Sequence, residues 1–173
     1  DAGHGSRAAG AVKLGVSEKD IDLDILLQLK KLFDACPDNI GVYYTRTADT
    51  NPTLDQRVQL ANKADADIFI SIHCNAASGT ARGTETECYS RMSNGGNLAQ
   101  CIQSQLIDSI DTVDRGVKEM PELLVLRYTD MPAVLVETAF IDNDDDMLLL
   151  VEHWDDIARA IARGVTDYEQ SNN

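Results

Sequence analysis

Two short apolar runs, Ile68-Phe69-Ile70-Ser71-Ile72 and Ala133-Val134-Leu135-Val136, restrict the fold of this chain more than any other feature. Side chains on a strand alternate between its two faces, so a strand that is apolar at consecutive positions must be covered on both. That requirement points to a layered α/β domain with helices on each side of a sheet. The intervening segments agree. Residues 18–35 place Ile21, Ile25, Leu29 and Leu32 on one helical stripe, with Ser17 as N-cap. Leu54–Ala64, Asn97–Ile110, Met147–Leu150 and Trp154–Tyr168 read as further helices. Gly41–Thr45 and Leu123–Leu126 read as strands, and Thr84–Tyr89 alternates as a more exposed one. The polar residues 169–173 read as a frayed tail, which leaves residues 1–168 as a single domain. A chain of 173 residues can bury a core without disulfide support.

The two apolar runs also position chemistry. His73 follows the first directly and Glu137 follows the second, so both are expected at carboxyl ends of strands, the edge where open α/β sheets bind ligands. Glu18 continues the apolar stripe of the first helix at its first turn, which aims it at the sheet edge. His4 lies between Gly3 and Gly5, in a loop whose backbone can approach a metal closely. Two imidazoles and a carboxylate can hold Zn²⁺ while leaving a position open for water, and a further carboxylate can take that water's proton. Each residue has a plain alternative: a core histidine, an acid stabilising a helix start, an exposed acid at a strand end, a mobile terminal histidine. Asp1 could accept the second ring N–H of a ligating histidine, or could be an acid without a role. His153, in Glu152-His153-Trp154, reads as structural or exposed.

Composition narrows the classes. Asp and Glu outnumber Lys and Arg 29 to 15, a formal net charge of −14, and no basic stripe appears. Phosphate binding needs such stripes, so nucleic acid is not an expected partner. No transmembrane-length apolar run or signal peptide is visible, so no membrane contact is expected of this domain. Cys36, Cys74, Cys88 and Cys101 lack CxxC spacing and read as mostly buried, free thiols. The acidic run Asp142–Asp146 lacks the spacing of a calcium loop, and Asn143 or Asp144 is expected to cap the helix after it.

The ordered motifs Asp1-Ala2-Gly3-His4-Gly5, Glu18-Lys19-Asp20, Ser71-Ile72-His73-Cys74-Asn75-Ala76 and Met131-Pro132-Ala133-Val134-Leu135-Val136-Glu137 resemble the zinc-dependent N-acetylmuramoyl-L-alanine amidases of the Amidase_3 family. Supporting segments are Thr45-Arg46, Arg57-Val58 with Ala61-Asn62, Arg82-Gly83-Thr84-Glu85 and Asp114-Arg115-Gly116-Val117-Lys118, so the similarity runs from Asp1 to about Val165. The resemblance implies a single α/β domain with a six-stranded, mostly parallel twisted sheet flanked by helices, of phosphorylase/hydrolase-like type. It implies one Zn²⁺ per chain held by His4, Glu18 and His73, and Glu137 as catalytic carboxylate. The implied substrate is peptidoglycan and the implied location the bacterial cell envelope or beyond it. Asn75, Arg82 and Arg115 are candidates for orienting substrate, since arginine suits carboxylates, with surface ion pairs as the alternative. A monomer is expected, with a separate cell-wall-targeting module possible, because an acidic domain gains no hold on an anionic envelope. Two departures stand out. Cys74 replaces the small residue usual after the second histidine; it should face away from His73, which argues against a fourth ligand. A parallel strand would normally lead into the His4 loop, so residues ahead of Asp1 are expected. The short connection from Tyr89 to Asn97 leaves no room for an inhibitory helical insertion, so an uncovered groove is expected. A zinc peptidase acting on another amide and a silent peptidoglycan-binding module are the alternative functions.

Overall fold

The computed structural model describes residues 1–36 and 40–172. A four-stranded sheet forms its centre, in the spatial order β3 (Phe69–Asn75), β6 (Ala133–Phe140), β4 (Thr84–Cys88), β5 (Asp114–Glu119). β3 pairs parallel with β6 and β4 with β5, whereas β4 runs antiparallel to β6. The expected six-stranded, mostly parallel sheet is thus corrected to four strands of mixed direction among the described residues. A separate hairpin joins β1 (Val12–Lys13) to β2 (Val16–Ser17), turning through Leu14 at φ 51° and Gly15 at φ 84°. Beside β3, Asp1–Gly3 lies parallel and forms a single bridge, Ala2 to Ile72. Gly3 N donates to the Ile72 carbonyl and Ile72 N to the Asp1 carbonyl, each at 2.9 Å.

Gly41–Thr45 is not a strand. Its end is attached through side chains: the Thr45 hydroxyl donates to the Asp1 carboxylate, and the Arg46 guanidinium donates to the carbonyls of Ala2 and Gly3. The expectation of exposure for Thr84–Tyr89 is also corrected, because all five residues of β4 are buried between β6 and β5. β5 itself reads Asp-Arg-Gly-Val-Lys-Glu, with one apolar side chain, and so carries no strand signal in sequence. Leu123–Leu126 is not a strand but leads into the short helix α4 (Leu124–Arg127). Four apolar residues carry no usable period, and burial of Val125 and Leu126 satisfies either geometry.

Alternation along the strands divides the packing. One face presents Ile72, Cys74, Val134, Val136 and Cys88 to α1 (Glu18–Asp34), α3 (Asn94–Ser109) and α6 (Trp154–Asn172), with Ile25, Leu98, Ile102 and Ile161 wholly buried between them. On the other face, α2 (Leu54–Lys63) and α4 cover only Phe69, Ala133 and Leu135. That cover ends before His73 and Glu137, which stay half-buried. A capping box between Thr53 and Gln56 starts α2. Asn143 accepts from the amides of Asp145 and Asp146 to start α5 (Asp144–Glu152), as its place before three acids suggested. The connection from β4 to α3 is residues 89–93, with no inserted helix. α6 carries helix through residues 169–172, assigned to a frayed tail on polarity. Cys74 and Cys88 are buried free thiols, Cys101 is a half-buried one, and Cys36 is half-buried just past the end of α1.

Candidate metal and catalytic site

His73 and Glu137 do not close their strands, which run on to Asn75 and Phe140. They are register partners on β3 and β6, and Glu137 is in turn the register partner of Glu85 on β4. Register partners project from the same face, with adjacent strands about 4.8 Å apart. His73, Glu137 and Glu85 therefore form one row across three strands.

At the β3 end of this row, α1 and the His4 loop complete a cluster. Glu18, the first residue of α1, places Oε1 3.0 Å from His4 Nε2 and 3.0 Å from His73 Nδ1. One donor atom from each of the three residues lies within 4.8 Å of the others. Among the described residues this is the only such group that could hold a metal ion. The surrounding backbone fits that role. A Cβ on Gly3 would meet the His73 ring at 2.3 Å, and one on Gly10 would meet Glu18 Oε2 at 2.4 Å, so both side chains are seated against glycine backbone. Glu18 Oε2 accepts from Ala11 N at 2.9 Å, which leaves Oε1 facing the histidines. Burial alone would raise the Glu18 pKa, but hydrogen bonds to His4, His73 and Ala11 together outweigh it and hold the carboxyl at about 2. Two imidazoles and an ionised carboxylate are a donor set suited to a divalent transition metal.

Glu137 differs. Its Oε2 is buried without a hydrogen-bond partner. Burial, then the charges of Glu87, Glu18 and Glu85, push its pKa well above the ordinary carboxylate range. A carboxyl with high proton affinity beside a candidate metal site can take and return a proton.

Asp1 does not accept from a histidine ring, which corrects that expectation. It lies behind the loop, accepting from the hydroxyls of Ser71 (2.6 Å) and Thr45 and from the Arg57 guanidinium. Arg57 also donates to the carbonyls of Ala2 (2.7 Å) and His4 (2.8 Å), and Arg46 donates to that of Gly3 (2.6 Å). Both arginines are 3% exposed. They hold a loop in which His4 adopts φ 54°, a conformation that non-glycine residues occupy only when their surroundings enforce it. Arg57→Leu strands the buried Asp1 carboxylate, a change that costs about 3–5 kcal/mol when a buried pair is broken. Thermal melts should show a large fall in Tm, with no rescue by lysine, whose single ammonium cannot reproduce the fork of donors.

The remaining candidates separate. Asn75 Nδ2 donates to Glu85 Oε1 at 3.0 Å and Arg115 Nε to Glu85 Oε2 at 2.7 Å, so both border the row. Arg82 pairs with Asp145 at 2.8 Å on the surface, the alternative considered for it. His153 is exposed beside Asp156. Cys74 faces α1, with Sγ 3.6 Å from Asp22 Oδ1, on the side of the sheet opposite His73. Glu87 was missed, although the alternation in Thr84-Glu85-Thr86-Glu87 places it on the face of Glu85. Burial, then Glu85 and Glu122, raise its pKa from 4.5 to about 7. The folded state therefore binds this proton more tightly than the unfolded chain. The resulting stability is present below about pH 4.5 and is lost as pH rises through 7. Glu87→Gln should raise Tm by several degrees at pH 8 and leave it unchanged at pH 4.5.

Comparison with known proteins gives the family and the fold. A family model described as N-acetylmuramoyl-L-alanine amidase, Amidase_3, matches residues 1–167. The chain is 41% identical over 173 residues to the uncharacterized protein YqiI of Bacillus subtilis (strain 168), covering 97% of this chain and 82% of that protein. It is 38% identical to N-acetylmuramoyl-L-alanine amidase LytC of the same organism, over 97% of this chain but 34% of that longer protein. The crystal structure of N-acetylmuramoyl-L-alanine amidase from Clostridium difficile 630 superimposes with a TM-score of 0.93 at 34% identity, covering 99% of this chain and 95% of that one.

Proposed function

This chain belongs to the Amidase_3 family of N-acetylmuramoyl-L-alanine amidases, and we propose from that premise that it hydrolyses the amide between the lactyl group of N-acetylmuramic acid and the L-alanine of the peptidoglycan stem peptide, using one zinc ion. The observation that carries this reading is the convergence of His4 Nε2, Glu18 Oε1 and His73 Nδ1 beside Glu137, the register partner of His73. His4, Glu18 and His73 would hold the zinc. When bound, zinc supplies Lewis-acid chemistry, polarising the scissile carbonyl and making water easier to deprotonate.

The protein's own groups do the rest. Glu137 accepts the proton of the attacking water as the new C–O bond forms. It then delivers that proton to the alanine nitrogen as the C–N bond breaks, leaving a lactyl carboxylate and a free amine. General acid–base catalysis of this kind contributes about 10²–10⁴-fold. With the three ligands loaded, Glu137 would hold its proton less tightly, toward the range where both transfers are efficient. Asn75 and Arg115 fix Glu85 on the far side of Glu137, and Arg115 would meet a carboxylate of the stem.

Peptidoglycan lies outside the cytoplasmic membrane, so the domain acts at the cell envelope, as a monomer. No helix among the described residues is long and apolar enough to cross a membrane. With a net charge of −14, the domain gains no attraction to an anionic wall, and a separate targeting module would supply it. The test is a panel of muropeptides and matched free peptides, given to metal-free and zinc-loaded protein. Zinc-dependent cleavage of the muropeptides alone supports the reading. Cleavage of the free peptides moves it to a peptidase, and no cleavage by zinc-loaded protein moves it to a binding module.

A further inference from the structure

We propose that Glu87 forms a subsite for a primary ammonium group of the stem peptide, the side-chain amine of a diamino acid two residues beyond the alanine. The inference rests on the amidase reading and specifies which stems the site prefers. Glu87 projects from the same sheet face as Glu85, at the β4 end of the row that begins at His73. It is 7% exposed, yet among the described residues no hydrogen-bond donor or cation pairs with it. Glu85, two residues away, is held by both Asn75 and Arg115. Lys118, the register partner of Glu87 on β5, is exposed and makes no ion pair with it.

A carboxylate largely withdrawn from water with no donor or cation beside it is costly, and burial with the charges of Glu85 and Glu122 raises its pKa to about 7. Such a group is tolerated where binding a ligand repairs it. The complement must be cationic. Glu85 and Glu122 add their charges at this point, and Glu87 stands two residues along β4 from Glu85, the register partner of Glu137, so the position borders the reacting centre. A metal ion does not fit: among the described residues only His4, Glu18 and His73 converge closely enough to share one. An ammonium does, since it offers a compact charge and three donors to acids that stand further apart.

The distances close. Two strand spacings and two residues along β4 place Glu87 about 12 Å from the His73 column. Two residues of extended peptide reach about 7 Å, and the side chain of a diamino acid spans the remainder.

The experiment compares zinc-loaded wild type and Glu87→Gln on three muropeptides whose third stem residue carries a free ε-amine, an acetylated ε-amine, or norleucine. Wild type should cleave the free-amine substrate with kcat/KM about tenfold or more above the other two, the worth of a charge-assisted hydrogen bond. Glu87→Gln should bring that ratio near one. Glu87→Met should do the same, and Lys118→Ala should leave the ratio as in wild type. Cleavage of all three substrates with a ratio that Glu87→Gln does not change overturns the subsite alone. A Lys118→Ala ratio differing from wild type overturns it too, because Lys118 would then be the cation that Glu87 meets. Failure of wild type to release any stem peptide overturns the amidase reading, and the subsite with it.

Discussion

Replacing Glu137 by Gln is expected to remove amide hydrolysis while leaving zinc binding intact. Glutamine keeps the shape of the side chain and its place in the β3–β6–β4 register, but it can neither accept the water proton nor return it to the leaving nitrogen. The loss should be at least the roughly 10²–10⁴-fold that a general acid–base residue supplies. Zinc affinity should not follow, since the donor atoms that converge come from His4, Glu18 and His73. The two outcomes are read separately, turnover on a muropeptide and zinc affinity by competition with a chelator. A parallel loss of both would make Glu137 a ligand. Retained turnover would remove it from the chemistry.

The second large effect concerns the ligands. His73→Ala takes away one of three donors, and Glu18→Gln removes the one negative charge among them. Either should weaken zinc binding by more than about 100-fold, the upper end of what losing only a supporting hydrogen bond to a metal ligand costs. Because zinc binds the folded protein, adding it should raise the Tm of wild type and should not raise that of either variant. This thermal readout also separates a lost site from a lost fold, since a folded variant still melts cooperatively. Variants whose Tm responds to zinc as wild type does would place the metal elsewhere.

How much of this was legible in the chain follows from what each signal depends on. The apolar runs at 68–72 and 133–136 located the two strands that carry His73 and Glu137, because coverage on both faces leaves a continuous trace in sequence. The same runs could not show that both strands continue three or four residues further, since each is interrupted by a charged or ionisable residue, His73 or Glu137, that looks like the beginning of a loop. The phase of the α1 stripe placed Glu18 correctly, because helical periodicity extends over four turns. β5 and the Leu123 segment failed for opposite reasons, one too polar to register and the other too short to have a period. The role of Asp1 was misplaced because its partners Thr45, Arg57 and Ser71 are 44, 56 and 70 residues away. Only the tertiary fold brings them to the back of the His4 loop. Glu87 was within reach, since simple alternation in β4 sets it beside Glu85, but nothing in sequence shows that it is buried without a partner.

The central claim is that the His4–Glu18–His73 cluster and Glu137 together cleave the bond between the glycan and its peptide. Mass spectrometry of purified peptidoglycan digested by this domain tests it most directly, with zinc-loaded, chelator-stripped and Glu137→Gln protein in parallel. The account predicts stem peptides with a free L-alanine amine, together with glycan fragments bearing a lactyl carboxylate, from the zinc-loaded wild type alone. Fragments cut within the stem peptide or within the glycan, or release undiminished after chelation, would contradict it.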